Sequence, residues 1–421
     1  MDPMGPAVEC ETSGLVSTVR GHRKAAVVIA GFVAFLDLYA PQPLLPLLGR
    51  LFHKAPAEIS LLLTAGTLAV ALAAPCVGML ADRWGRKRII VPAALLLSLP
   101  TFALALARSF RLLLFWRFCQ GLLIPAVFVV TVAYINEEWQ QGAGSAVAAY
   151  VSGTVLGGFF GRTVCALLTA RLGWQAGFVV LGALNAAGGL LIWAWLPAGK
   201  VAQRRVRQNG AGLLRHLHNP QLMATCAAGF CVLFCLLGTF TYVNFYLAAA
   251  PFHFSTGTLG LLFVVYLVGA ATTPAAGRAI DRFGHRLTIS AVLAVAIAGG
   301  LLTLIHFVPA VVIGLAIFCA GMFAAQSAAS SYIGLAAREA QASAVGLYVT
   351  AYYIGGSFGS AVPGRLWTWG GWPACIALVT VVQIGTILIA LCCWRRPAPA
   401  DVRQHGKILA ARVTLSGSPG D

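Results

Sequence analysis

Apolar segments of membrane-spanning length recur from one end of this chain to the other, and no other feature limits its fold so strongly. Cutting at charged and Pro/Gly-rich breaks gives twelve, over 25–48, 59–81, 89–107, 111–134, 143–170, 174–196, 220–248, 257–279, 287–307, 309–333, 342–365 and 371–394. An α-helix needs roughly 20 apolar residues to cross hydrocarbon while satisfying its own backbone hydrogen bonds. Barrel strands alternate over about ten residues; these runs are continuously apolar, so the expectation is an all-α membrane protein. Only 10% of the residues are charged and 59% are hydrophobic, where a soluble domain carries roughly a quarter charged. Secreted, nuclear and disordered readings are excluded.

An even number of spans places both termini on one side. With the N-terminus inside, segments on that side carry 21 of the 29 Lys and Arg residues, and the other side carries six: Arg50, Lys54, Arg108, Arg111, Arg171 and Arg365. Arg117 and Arg162 fall within helices. The positive-inside rule therefore puts both termini in the cytoplasm, and a bacterial inner membrane is the expected location. The net charge of +17 is accounted for by this placement, so no nucleic-acid partner is invoked. The first long apolar stretch begins near Ala25 at full span length and is expected to be retained, not cleaved as a leader. All the tryptophans (Trp84, Trp116, Trp139, Trp174, Trp193, Trp195, Trp367, Trp369, Trp372 and Trp394) fall near predicted helix ends, as an interfacial belt would. Cys76, Cys119, Cys165, Cys226, Cys231, Cys235, Cys319 and Cys375 lie in apolar runs and read as small apolar fillers. No CxxC spacing or intramembrane histidine cluster suggests a metal, and no cofactor is expected.

The chain repeats itself at half its length. GMLADRWGRKR from Gly78 returns as GRAIDRFGHR from Gly277, with Asp82 matching Asp281 at an offset of 199. GGFFGR from Gly157 pairs with GGSFGS from Gly355, and the GW at Trp174 with that at Trp372, both at 198. The expected organisation is a tail over 1–24, a six-helix bundle over 25–196, a basic linker over 197–219, a second bundle over 220–394 and a tail over 395–421.

These residues resemble the major facilitator superfamily, whose hallmark is GxxxDRxGRR, or a near variant, between the second and third helices. Here it is carried by Gly78, Asp82, Arg83, Gly85, Arg86 and Lys87, with a degenerate copy at Asp281, Arg282 and Gly284. RFCQG, from Arg117 to Gly121, is similar to the RxxxG of the family's fourth helix. DLYAPQPLLPLL in the first helix and GTVLGGFFGR in the fifth look most like the drug:proton antiporters and their sugar-efflux relatives. In the antiporter pattern GxxxGPxxGG, this chain has Gly158 in place of Pro and Arg162 in place of the last Gly. The resemblance implies two pseudo-symmetric six-helix bundles around a central cavity, working by alternating access. It also implies that the loop motif steadies one access state.

Of the twelve acids, only Asp37 lies inside a predicted span. A carboxylate at that depth is costly unless paired, protonated or wet. Asp37 lies roughly 16 Å, and Arg117 roughly 9 Å, from the outer ends of their helices at ~1.5 Å per residue, and Arg162 lies near the same level. The expected proton site is Asp37, exchanging a pairing with Arg117 for proton or substrate; a permanent structural ion pair between the two helices is the other reading. Arg162 attracts an anionic group or snorkels to the interface. Matching DLYAP to NFYLAAAP sets Asn244 opposite Asp37. Gln42, Gln120, Asn244, Gln326, Tyr352 and Tyr353 are cavity candidates or, singly, helix-to-helix hydrogen bonds. Asp82 is expected to dock on the N-terminal end of the eleventh helix near Ala342, with Arg83, Arg86 and Lys87 reaching lipid phosphates or loop carboxylates.

No GxxxxGK[ST] loop is present, so ATP hydrolysis is not the expected energy source, and no constellation suggests an enzyme. The expectation is a monomeric secondary transporter whose partners are protons, the lipid bilayer and a small drug-like or sugar-like molecule. Proton-coupled efflux is the first reading, and uptake by symport or facilitated diffusion the alternative.

Overall fold

The computed structural model describes residues 7–139, 143–197, 216–337 and 341–394, all of them in helices or short connections without a strand. The basic linker beyond Pro197 as far as residue 215, Arg338 and the tail from residue 395 lie outside the described residues. The first half comprises α1 (Ala7–Leu36), α2 (Pro56–Trp84), α3 (Arg86–Ala105), α4 (Phe110–Glu138), α5 (Ala143–Leu172) and α6 (Trp174–Trp195). In the second half, α7 is Pro220–Ala248 and α10 is Val308–Ala336. Between them Thr256–Leu302, at 47 residues, is about twice what one crossing needs. It turns at Gly284, so that α8 is 256–283 and α9 is 285–302. Gln341–Ala361 forms α11, prolonged by 363–369, and the chain reverses at Gly370 and Gly371 into α12, 372–393. Twelve helices thus correspond to the predicted spans, and among the described residues nine stretches, one of them holding both α8 and α9, are long and apolar enough to cross a membrane. The helix α1 departs most from its predicted limits, starting at Ala7 and breaking after Leu36, while several others run a few residues further than predicted. As a result Asp82, Glu137, Glu138 and Asp281, expected in loops, lie in helix ends.

Gly85 and Gly284 take φ of +91° and +79°, a region open to glycine without strain. Each is the turn between consecutive helices, which explains why both copies of the loop motif keep a glycine there. The face holding these turns is called the motif face below.

Within the first half α1 packs on α5 and α2 on α4, and in the second α7 packs on α11; between the halves α2 meets α11 and α5 meets α8. Exchanging α2 with α8 and α5 with α11 interchanges the two inter-half contacts, as a twofold repeat requires. Glycines set the closest approaches. A Cβ on Gly157 or Gly161 would stand 2.2 or 1.8 Å from the carbonyl oxygens of Phe32 or Leu36, and one on Gly355 or Gly359 2.1 or 2.3 Å from those of Phe230 or Phe234. These four contacts align α1 with α7 at an offset of 198 and place Cys235, not Asn244, at the position equivalent to Asp37. Matching Asp37 and Tyr39 to Asn244 and Tyr246, at an offset of 207, points instead to a later register.

The tryptophan belt is correct only in part. Trp84, Trp193 and Trp369 are exposed, but Trp174, Trp372 and Trp394 are buried. Trp372 stacks on Tyr246 and donates to the Thr303 hydroxyl, and Trp394 stacks on Tyr332. Of the cysteines read as fillers, Cys165, Cys226, Cys235, Cys319 and Cys375 are buried, whereas Cys76 is exposed.

Candidate functional site

The site begins with a proline cluster. Pro41, Pro43 and Pro46 lack the N–H groups that would close a helix on residues 37, 39 and 42. The helical run of α1 accordingly stops at Leu36; residues 37–41 form turns, and helix resumes through Gln42–Leu44 and Leu45–Leu51. Pro41 deprives the Asp37 carbonyl of its helical donor. Gln42 N–H turns to the Tyr39 carbonyl, which leaves the Leu38 carbonyl free as well.

Arg117 serves both carbonyls, joining the Ala40 N–H at that of Asp37. Its Nη1 donates to the Asp37 carbonyl at 3.0 Å, its Nη2 to the Leu38 carbonyl at 2.6 Å and its Nε to the Leu62 carbonyl of α2 at 3.2 Å. RxxxG has a physical meaning here. A Cβ on Gly121 would stand 2.2 Å from the Gly66 carbonyl oxygen, so only glycine lets α4 come close enough to α2 for Arg117 to reach across it.

The sequence led to the right neighbours but the wrong bond. Asp37 and Arg117 share the break in α1, yet no carboxylate–guanidinium contact forms, because the guanidinium is occupied by backbone carbonyls. The carboxylate instead accepts at Oδ2 from the Thr101 hydroxyl at 2.8 Å and from the Asn185 amide. Gln120 completes the chain: its Oε1 accepts from Arg117 at 2.6 Å and its Nε2 donates to the Thr101 oxygen at 2.7 Å. Two buried acceptors, Asp37 Oδ1 and Asn185 Oδ1, have no donor. The Thr101 hydroxyl, with one proton, faces both Asp37 and the Leu97 carbonyl. The network is therefore richer in acceptors than in donors. Asp37 is only 1% exposed and does not line the cavity.

At an offset of 198 or 199 the second half has Cys235, Gly300, Leu315, Phe318 and Gln383 at the positions of Asp37, Thr101, Arg117, Gln120 and Asn185. Only Gln383 remains polar enough for such a network, and it donates to the Met322 sulfur. Thr101 and Asn185 were missed by sequence reasoning. Asn185 is the one amide in the interior of the sixth apolar run, a signal of the same kind as Asp37.

A cavity of about 310 Å³ lies between the halves, lined by residues including Arg162, Tyr39, Tyr266, Gln326, Tyr352 and Tyr353. Four predicted candidates are thus on its wall: Arg162, Gln326, Tyr352 and Tyr353. Three are not. Gln120 belongs to the Asp37 network; Asn244 bonds back to the Phe240 carbonyl of its own helix. Gln42 lies at the end of the cavity away from the motif, accepting from Arg162 Nε at 2.9 Å and donating to the Thr241 hydroxyl at 3.3 Å. Tyr39, Tyr266 and Tyr348 are wall residues that the sequence did not single out for that role.

Beyond Gln42 the halves are joined by hydroxyls. Thr64 meets Ser360 at 2.8 Å, Thr67 meets Ser357 at 2.9 Å, Tyr242 donates to Ser60 at 3.1 Å and Thr163 to the Gly260 carbonyl at 3.0 Å. Among the described residues, all hydrogen bonds between the halves lie on this side, while the cavity extends toward the motif face. Gly78, eleven residues from Thr67, and Gly346, eleven from Ser357, lie three turns along the same helix faces. A Cβ on either would meet nothing within 4 Å. The faces joined by hydroxyls at one end therefore stand apart at the other.

The loop motif forms an ion cluster within the first half. Arg86 contacts Asp82 at 2.5 Å and Glu137 at 2.6 Å, and Arg23 contacts Glu138 at 3.3 Å. Arg86, one turn along, holds the Asp82 carboxylate; the expected docking point of Asp82 at the N-terminal end of α11, near Ala342, lies where side chains are outside the described residues. Arg83, Lys87, Asp281 and Arg282 lie on the motif face, where Arg282 covers the Phe283 ring.

The family described as the Major Facilitator Superfamily matches residues 27–360 and 243–417. The MFS-type transporter YybF of Bacillus subtilis is 30% identical over 370 residues, covering 87% of this chain and 91% of that one. The inner membrane transport protein YnfM of Escherichia coli is 30% identical over 366 residues, 85% of this chain and 88% of that one. Among solved structures, a bacterial homolog of the human lysosomal transporter Spinster, inward-facing and unoccupied, superposes with a TM-score of 0.72 at 16% identity, covering 89% of this chain and 95% of that chain. That likeness concerns the fold.

Proposed function

The chain belongs to the Major Facilitator Superfamily, and from that premise we propose that this membrane transporter couples the movement of a small organic molecule to that of protons, with Asp37 as the proton carrier. One observation carries the reading. The last turn of α1 and the broken segment after it present Asp37 to the buried network on one side and Phe35 and Tyr39 to the cavity on the other. A proton added to Asp37 supplies the donor its acceptor-rich surroundings lack, and changing that bonding shifts the segment that forms the cavity wall. Arg117 tethers the segment by its carbonyls and senses the carboxyl through Gln120 and Thr101.

The excess of basic residues assigns the motif face to the cytoplasm, as for a bacterial inner-membrane protein with both termini inside. The hydroxyl contacts then form the closed outer gate, and the cavity is open inward. Closing the motif face brings Gly78 and Gly346 together while the hydroxyl contacts part. Efflux in the manner of a drug:proton antiporter, from a monomer, is the reading we favour. Uptake by symport is the second, favoured by Arg162 standing where the antiporter pattern has glycine.

Everted membrane vesicles acidified by respiration test the coupling. Lipophilic cations, organic acids and hexoses are added in turn, and lumenal pH is followed with a fluorescent weak base. Substrate-dependent alkalinisation is expected for an antiporter and is lost in Asp37→Asn. An Asp37→Asn protein that moves protons as the native one does would refute the carrier role.

A further inference from the structure

Arg162 is 2% exposed, lines the cavity and has no carboxylate within salt-bridge distance among the described residues. Its guanidinium lies over the rings of Tyr39 at 4.7 Å, Phe263 at 4.9 Å and Tyr266 at 4.6 Å. Two of its nitrogens are occupied: Nε donates to Gln42 and Nη1 to the Gly158 carbonyl at 2.7 Å. Nη2 has no hydrogen-bond partner among the described residues. Arginine stays charged in proteins, and buried charges are ordinarily paired. Aromatic faces and neutral acceptors offset part of the cost of burying this one, but they leave its charge uncompensated.

We infer that the transported substrate is an organic acid, whose anionic group docks on Arg162 and whose apolar or aromatic body fills the rest of the cavity. The inference rests on reading this cavity as the substrate site and narrows the substrate class; it does not depend on proton coupling. Arg162 is the one charge among the lining residues, and the remainder is aliphatic or aromatic apart from Thr154, Gln326 and tyrosine hydroxyls. A lipophilic cation would meet a like charge in that wall, and a sugar would find few partners for its hydroxyls. A carboxylate takes up the free Nη2 and the remaining proton of Nη1 in the fork geometry that arginine offers. Because Arg162 also holds Gln42, which bonds to Thr241 across the halves, an anion arriving there touches the closed end of the cavity directly.

The test is equilibrium binding by calorimetry to the full-length protein in nanodiscs, with three probes sharing one ring system: naphthoate, naphthamide and naphthylmethylammonium. Naphthoate is expected to bind at least tenfold more tightly than naphthamide, about 1.4 kcal/mol, with the cation weakest. Arg162→Gln should erase the preference for the acid over the amide, and Val155→Trp, which fills the cavity, should abolish binding. Equal affinity for acid and amide in the native protein, tightest binding by the cation, no binding of naphthoate, or naphthoate binding that survives Val155→Trp would each overturn the inference. The native comparison requires no variant to fold. A failure of proton coupling in vesicles leaves these affinities untouched, so the two readings fail separately.

Discussion

Gly121→Ala tests how the α2–α4 contact positions Arg117. The new methyl would stand 2.2 Å from the Gly66 carbonyl oxygen and 2.6 Å from the Ala69 Cβ, whereas such atoms settle at roughly 3.5–4.0 Å. Backbone opposes backbone, so no side-chain rotation relieves the clash and α4 must retreat by about 1 Å or more. Arg117 lies one turn away on the same face, and its 3.2 Å bond to the Leu62 carbonyl does not survive such a retreat. Its 3.0 Å bond to the Asp37 carbonyl is lost with it, and the bond to the Leu38 carbonyl lengthens. Losing two hydrogen bonds to a buried charge costs roughly 3–6 kcal/mol. At ~2–4 °C per kcal/mol for a bundle of this size, the melting temperature should fall by roughly 6–24 °C. The assay is thermal unfolding in detergent micelles, with Gly385→Ala as control, since a Cβ there meets nothing within 4 Å. A Gly121→Ala protein that melts within about 2 °C of native would refute the role given to this glycine and to Arg117 as tether of the broken helix.

Gly78→Leu should leave the melting temperature nearly unchanged, because the side chain enters open space in this conformation. It should nonetheless slow transport by about tenfold, ~1.4 kcal/mol, by obstructing closure of the motif face, as spin-label distances between α2 and α11 would report. Thr64→Val with Thr67→Val removes two hydroxyls that join the halves, at ~0.5–1.5 kcal/mol each. Thiol labelling of a cysteine placed on the cavity wall from the opposite face should rise accordingly. Asp82→Asn leaves Arg86 held by Glu137 alone; labelling from the motif face should stay as in the native protein, whereas loss of a docked latch would increase it.

The fold was legible in the sequence because length and apolarity alone determine which segments can cross a bilayer, and the motif repeat determines how they pair. Gly85 and Gly284 were found for that reason. The site was legible where one residue type is unusual for its surroundings, as with Asp37, Arg117 and Arg162. Bond partners were not. Arg117 was expected to seek the one nearby carboxylate, but Pro41 and its neighbours create carbonyl vacancies on the same segment, and three of the arginine's bonds go to main chain. Gln42 and Gln120 are polar and at cavity depth, yet which way a helical side chain faces depends on the rotation of its helix, set by glycine contacts such as Gly161 against Leu36. The register error at Asn244 has the same origin: the match of Asp37 and Tyr39 to Asn244 and Tyr246 is weaker evidence than the packing of Gly157 and Gly355.

Whether Asp37 takes up and releases a proton can be read without a substrate. Infrared difference spectra of the protein in lipid, recorded as pH is raised and subtracted from those of Asp37→Asn, isolate the C=O stretch of this one carboxyl group. The account predicts a protonated-carboxyl band that disappears within the physiological range and is missing in the asparagine protein. A band absent or unchanged at every pH over that range would mean a group locked in one state, and Asp37 could not be the carrier.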